Sequence, residues 1–248
     1  MLLSTRLRRL TLWAFPAALC AIAPVALAHT TVRSQAAEGV RADNALKIGH
    51  GCDENTVIAQ SVVFPTDAPL ITTNAPGVVI GDLAEVITQG GIAGLVGAIQ
   101  DSSIFGIQNA KLDANENTIG FHGKQGLLRI HLRGRVPFEF TAPNFVPESC
   151  ATALRVEIAI ADICKLKAPT LQPGKVNLWI PDNGSQFAIQ GAANGVEGIG
   201  GPARLTVNRD LANNPLPDAC GAGYVVTLTP SAAQVDRDLP IGRYWLLR

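Results

Sequence analysis

Apolar residues recur mainly at every second position in short runs, and the runs are cut by glycine, proline and asparagine. The strongest run is Ala153–Ile163, where Leu154, Val156, Ile158 and Ile160 sit at period two. That spacing puts alternate side chains on one face of a strand. The same reading predicts strands at Thr30–Arg33, Ala45–Ile48, Val57–Phe64, Val78–Ile80, Thr118–His122, Leu127–Leu132 and Phe138–Thr141. It continues with Val176–Ile180, Ala203–Val207, Gly223–Thr229 and Arg243–Leu247. Pro65, Ala75-Pro76-Gly77, Pro181-Asp182-Asn183-Gly184 and Asn213-Asn214-Pro215 punctuate them as turns. Many short strands between turn signals predict an all-β sandwich, with Thr30–Arg33 on an edge. There is no internal repeat.

One stretch departs from this pattern. Residues 82–110 begin with a short helix signal capped by Asp82, then run through an apolar, glycine-laden segment, Gly91–Ile99, toward Ile107. It reads as a glycine-rich insertion packed on the sandwich, or as a surface for a partner.

Composition adds limits. The chain has 248 residues, 47% of them hydrophobic and 16% charged, enough for a full core in one domain, or in one domain with an added lobe. Twenty basic residues balance twenty acidic ones, so no cationic excess exists to gather the phosphates of a nucleic acid. Residues 1–28 carry an export signal: Arg6, Arg8 and Arg9, then an apolar run from Leu10, then Ala26-Leu27-Ala28 as a cleavage site. Cleavage there would make His29 the first residue, with a free α-amine beside its imidazole. No other apolar run is long enough to span a bilayer. The expected location is periplasmic or secreted.

Loss of the signal removes Cys20 and leaves Cys52, Cys150, Cys164 and Cys220. Four cysteines in an exported chain favour two disulfides, and the residues alone allow three pairings. No Cys-x-x-Cys suggests zinc. Met1, the only methionine, also leaves with the signal, so no thioether site for Cu(I) can form. An α-amine, an imidazole and one more nitrogen or oxygen suit the tetragonal preference of Cu(II). The amine deprotonates for a metal at modest cost.

The motifs His29-Thr30-Thr31-Val32, Leu46-Lys47-Ile48-Gly49-His50-Gly51-Cys52 and Val57–Pro65 resemble the YcnI-like periplasmic copper-binding proteins. Ile119-Gly120-Phe121-His122-Gly123, Phe138-Glu139-Phe140, Ala153–Cys164 and Leu178-Trp179-Ile180-Pro181 extend the resemblance more weakly, over about residues 29–182. The resemblance implies an immunoglobulin-like sandwich at 29–182; segment 183–248 lies outside it and is expected as a C-terminal β extension packed on the same domain, stapled there by a second disulfide. It implies Cu(II) held by the mature N-terminal histidine, His29, with a carboxylate and a tryptophan nearby. Trp179 matches the tryptophan. In an ungapped reading the carboxylate falls on Gly51, a departure from the family; His50, Asp53 and Glu54 lie in the same turn. His50 ranks first as replacement because imidazole suits copper better than an isolated carboxylate, and Glu54 is kept as a metal candidate. Cys52 and Cys164 fall in family-like positions and pair, which leaves Cys150 with Cys220.

The expected function is non-enzymatic: copper acquisition, storage or delivery, with a copper-transport or copper-enzyme protein as partner. One alternative is a copper-brace oxidative enzyme of the polysaccharide monooxygenase type, with His122 or His131 as the second histidine; the low aromatic content argues against a flat polysaccharide-binding face. The other is a metal-free binding or assembly module using the 91–107 surface. No nucleophilic triad is suggested by context. Gly195–Gly201 is glycine-rich but lacks the Lys-Ser/Thr of a phosphate loop.

Overall fold

The computed structural model describes residues 29–32, 35–166 and 171–242. The signal, its cleavage site and the strand expected at 243–247 lie outside them. The strands are β1 (Thr31–Val32), β2 (Ala36–Ala37), β3 (Arg41–Ile48), β4 (Ala59–Val63), β5 (Leu70–Thr73), β6 (Val96–Ala98) and β7 (Phe105–Leu112). After them come β8 (Thr118–Gly126), β9 (Gly134–Thr141), β10 (Ala151–Ile163), β11 (Val176–Trp179), β12 (Ala203–Asn208) and β13 (Tyr224–Thr229). Two helices, α1 (Gln186–Ala193) and α2 (Ala232–Asp238), lie among the last strands.

The fold is an all-β sandwich of two sheets. One runs β1-β3-β9-β6; the other runs β2-β12-β10-β4-β8-β7, with β11, β13 and β5 joined to it through β10 and β13. As expected, β1 is an edge strand. The core between the sheets takes Leu46 and Ile48 from β3, Val136, Phe138 and Phe140 from β9, Phe121 from β8, and Leu154, Val156, Ile158 and Ile160 from β10. These are the period-two residues that the sequence places on one face.

Strand β10 is the spine of the second sheet. Its first half pairs antiparallel with β12 and parallel with β13; its second half pairs antiparallel with β11 and β4. Its other face carries Arg155 and Glu157 in the first half but Ala159, Ala161 and Ile163 in the second, and there a second core packs Phe187 and Ala188 of α1 and Val235 of α2 against the sheet. Residues 183–242 therefore supply two strands of the sheet and a helical cover. Ser185 and Ser231 cap the two helices by accepting from the backbone N–H of Ala188 and Gln234.

The pattern misread some places. Residues 82–110 contain strands: β6 pairs with β9, and β7 forms a long hairpin with β8. Only the short 3-10 turn Leu83–Glu85, closed by a capping box of Asp82 and Glu85, matches the expectation there. Glycines hid the period. A side chain at Gly97 would press on Glu139, and one at Gly106 on Gln125. Leu127–Leu132 is not a strand: Leu128 makes one bridge to Val57 and the chain turns, the N–H of Leu132 donating to the carbonyl of Arg129. His131 is thus exposed on a turn. Val78–Ile80 is irregular. The sequence reading did not place β5, α1 or α2, which are short.

Two disulfides, Cys52–Cys164 and Cys150–Cys220, lie in the pairing implied by the resemblance. The second ties the start of β10 to the turn before β13. It closes a sequence separation of 70 residues. Replacing both Cys150 and Cys220 by alanine is expected to cost about 3–5 kcal/mol of unfolding free energy, read from urea denaturation with and without reductant. A loss equal to that of reduced wild type, with Cys52 and Cys164 intact in the variant, would contradict an independent contribution from this bridge.

Candidate functional site

One end of the sandwich gathers residues from five parts of the chain around Asp162. Asp162 lies on the inward face of β10, two residues beyond Ile160, and is fully buried. A buried carboxylate is costly unless donors surround it. Thr30 Oγ1 and Trp179 Nε1 donate to its Oδ2, each at 2.7 Å, and Gln60 Nε2 donates to its Oδ1 at 2.7 Å. Burial pushes the Asp162 carboxyl above the ordinary range; these three donors and the nearby His50 oppose it. The acid is therefore a structural acceptor that ties the N-terminal segment, β4 and β11 to β10.

The histidines sit above this layer. Antiparallel pairing sets Thr31 opposite Lys47 and Val32 opposite Leu46, so the chain before β1 comes level with the turn after β3. His29 and His50 meet there at Trp179. The His29 ring lies 4.9 Å from the Trp179 ring, centroid to centroid, and the His50 ring 6.2 Å, both edge-on. Trp179 is 1% exposed, so it is a core residue and the floor of the site at once.

The two imidazoles differ in their partners. Nδ1 of His29 is buried and has no hydrogen-bond partner. An unsatisfied buried polar atom costs about 1–3 kcal/mol. His50 Nδ1 contacts the carbonyl oxygen of Gly51. As the donor in that contact it fixes the tautomer and leaves the Nε2 lone pair outward. Nε2 of His50 is 3.6 Å from Oε1 of Glu197, an ion pair when the ring is protonated.

The turn carrying His50 is closely held. Cys52 and Asn55 exchange backbone hydrogen bonds, and the Cys52–Cys164 disulfide fastens the turn to the end of β10. Asn177 Nδ2 donates to the Gly51 carbonyl. A Cβ on Gly51 would lie 2.0 Å from the carbonyl oxygen of Asn55. A side chain there would force the turn to shift. Asp53 and Glu54 are exposed on the same turn. The carboxylate that faces His50 is Glu197, from a region outside the resemblance.

Glu197 belongs to Gly195–Gly201. This glycine run wraps the tryptophan. A Cβ on Gly198 would lie 2.5 Å from the Leu178 carbonyl oxygen and 2.7 Å from Trp179 Cε3, and its φ is +103°. Gly201 passes beside His29, where a Cβ would be 3.6 Å from Nδ1. The glycines let the backbone lie against the two rings.

His122 and His131 stand apart. His122 is on β8 beside Lys111 and Lys124, and His131 is on its exposed turn; among the described residues no contact joins either to His29. Asp162, Glu197 and the glycine run were not singled out as site residues from the sequence. Asp162 did carry a signal: a lone acid at an inward position of an apolar strand. Among the described residues no group of three or more histidine, cysteine, aspartate or glutamate side chains is preformed to hold a metal.

Asp162→Ala would leave the Thr30 hydroxyl, the Gln60 amide and the Trp179 indole N–H without their acceptor. It is expected to cost about 3–5 kcal/mol in denaturant unfolding; a loss under about 1 kcal/mol would show that water replaces the carboxylate. Gly51→Glu, which places an acid where the resemblance would put one, is expected to lose about 2–4 kcal/mol through collision with Asn55. Unchanged stability of that variant would mean that the turn relaxes freely.

No family model matches the chain, and no curated protein matches it. Solved structures are similar at low identity. A protein from Nocardia farcinica, whose crystal structure is described as revealing an immunoglobulin-like fold, is 12% identical; the match covers 73% of this chain and 98% of that one, with a TM-score of 0.40. A chain of a type I cohesin–dockerin complex from Clostridium thermocellum is 11% identical over 73% of this chain and 96% of that one, with a TM-score of 0.33.

Proposed function

We propose that this is an exported copper-binding protein that holds Cu(II) through His29 as the mature N-terminal residue, for copper acquisition, storage or delivery. The observation that carries the reading is the meeting of His29 and His50 at Trp179, with Nδ1 of His29 buried and unpartnered. Cleavage after Ala28 would set an α-amine next to that nitrogen, and the two would chelate one ion. His50 Nε2 is the third donor, because its Nδ1 is committed to the Gly51 carbonyl. Glu197 supplies the acid in place of Glu54. A bound cation would also favour the ionised form of the buried Asp162. Two disulfides and the lack, among the described residues, of a helix long and apolar enough to cross a membrane are compatible with a periplasmic or secreted protein.

The test is a Cu(II) titration of protein beginning at His29, beside a copy with one extra N-terminal residue. The processed form is expected to bind one equivalent, and the extended copy to bind more than about a hundredfold more weakly. His50→Ala in the processed form is expected to weaken binding by about tenfold to a hundredfold. Equal affinity of the processed and extended copies would remove the amine from the ligand set and end this reading.

A further inference from the structure

The second sheet carries a separate feature on its outer face. Strand register sets Asn109 opposite His122 and Ser61 opposite His122, so β4, β8 and β7 present Ser61, His122 and Lys111 on one side. Lys124, two residues past His122, shares that side. The C-terminal end of α2 closes over this corner. The result is a cleft of about 340 Å³ lined by Lys111, His122, Lys124, Arg237, Asp238 and Gly242, among others.

Three basic side chains and one acidic one line it. The one acidic side chain in that lining, Asp238, is already engaged: Arg237 Nε donates to its Oδ1 at 2.8 Å and Arg237 Nη2 to its Oδ2 at 2.6 Å. Lys111 Nζ donates to Ser61 Oγ at 2.7 Å and to the main-chain oxygen of Asp238, both neutral acceptors. Both ring nitrogens of His122 are buried and unpartnered. A neutral imidazole always has one N–H to donate and one lone pair, so two bonds go unmade.

The geometry points to an anion site in this cleft: a carboxylate or phosphate oxygen group held by Lys111, Lys124 and a ring N–H of His122. Such a group would satisfy the imidazole with a charge-assisted bond and set negative charge between two ammonium groups. Burial acts on both titrating side chains. Burial, then Lys124 and Lys111, holds His122 down to about 4. Burial brings Lys111 down to about 7, with Asp238 opposing and Lys124 adding to the fall. The groups that face Lys111 are His122 and Lys124 from β8, Ser61 from β4, and Arg237 and Asp238 from α2. This site is independent of the copper reading, since it shares no residue with it.

The test follows the His122 ring by NMR in the full processed protein at constant ionic strength. Inorganic phosphate is titrated in one series and acetate in another. A saturable shift of the His122 ring signals is expected, with its titration midpoint rising from about 4 in the free protein as the anion saturates. Lys124→Met is expected to weaken the saturating anion by about tenfold to a hundredfold, whereas Arg135→Met, on the other sheet, leaves the affinity unchanged. Saturation by phosphate alone assigns the phosphate class, and saturation by acetate alone the carboxylate class. No saturable shift with either anion, or equal affinity in wild type and Lys124→Met, overturns the site.

Discussion

The buried carboxylate of Asp162 is the constraint on which the candidate site depends. It sits where a hydrophobic strand would otherwise continue, at the end of the sandwich core. Its burial must be offset by donors, and the three donors come from positions 30, 60 and 179. An apolar residue at 162 would pack the end of the core more simply, but would leave those donors free to choose other partners. The carboxylate instead fixes which segments meet. Trp179 is held by its indole N–H, which fixes the ring that His29 and His50 meet at steep interplanar angles, and Thr30 is held by its hydroxyl, which restrains the residue before it.

The same end is locked by covalent and steric means. The Cys52–Cys164 bridge anchors the His50 turn to the strand that bears Asp162. The backbone at Gly198 and Gly201 closes over the tryptophan and His29 at distances that only glycine allows at Gly198. A polar hub, a disulfide and a glycine wrap thus act on one small volume. Each restrains a different element, so the positions of the two imidazoles do not rest on any single contact. The outer cleft is built differently. It is a by-product of covering only half of a sheet face with helices, and its lysines come from a hairpin edge rather than from the core.

Much of this was legible in the sequence, for a physical reason. Period-two spacing in β10 declares a strand because one face of it meets a continuous core. The Asp82 cap and the edge position of β1 were readable on equally local grounds. Strand β7 was not, because most of it is exposed and no buried face imposes a period. Residues 127–132 alternate as a strand should, yet they turn: no neighbouring strand is available there beyond the single bridge at Leu128. His29, His50 and Trp179 could be named in advance because each is rare and each stands in a recognisable motif. Asp162 and Glu197 could not. An aspartate inside an apolar strand says that it has partners but not which, and Glu197 reaches His50 only through the path of the whole C-terminal segment.

That path sets an order of events. The residues that meet at the tryptophan are separated by 132 positions between Thr30 and Asp162, and the glycine wrap follows later still. His29 is among the first of these residues to be synthesised, and its surroundings are among the last. Pairing of β1 with β3 supplies only the turn that bears His50; the tryptophan and the glycine wrap come later in the chain. Whatever ligand His29 takes is met only by a nearly complete chain. A chain cut between β3 and residue 201 would keep both partners of the first pairing and lose part of the wall around the histidine.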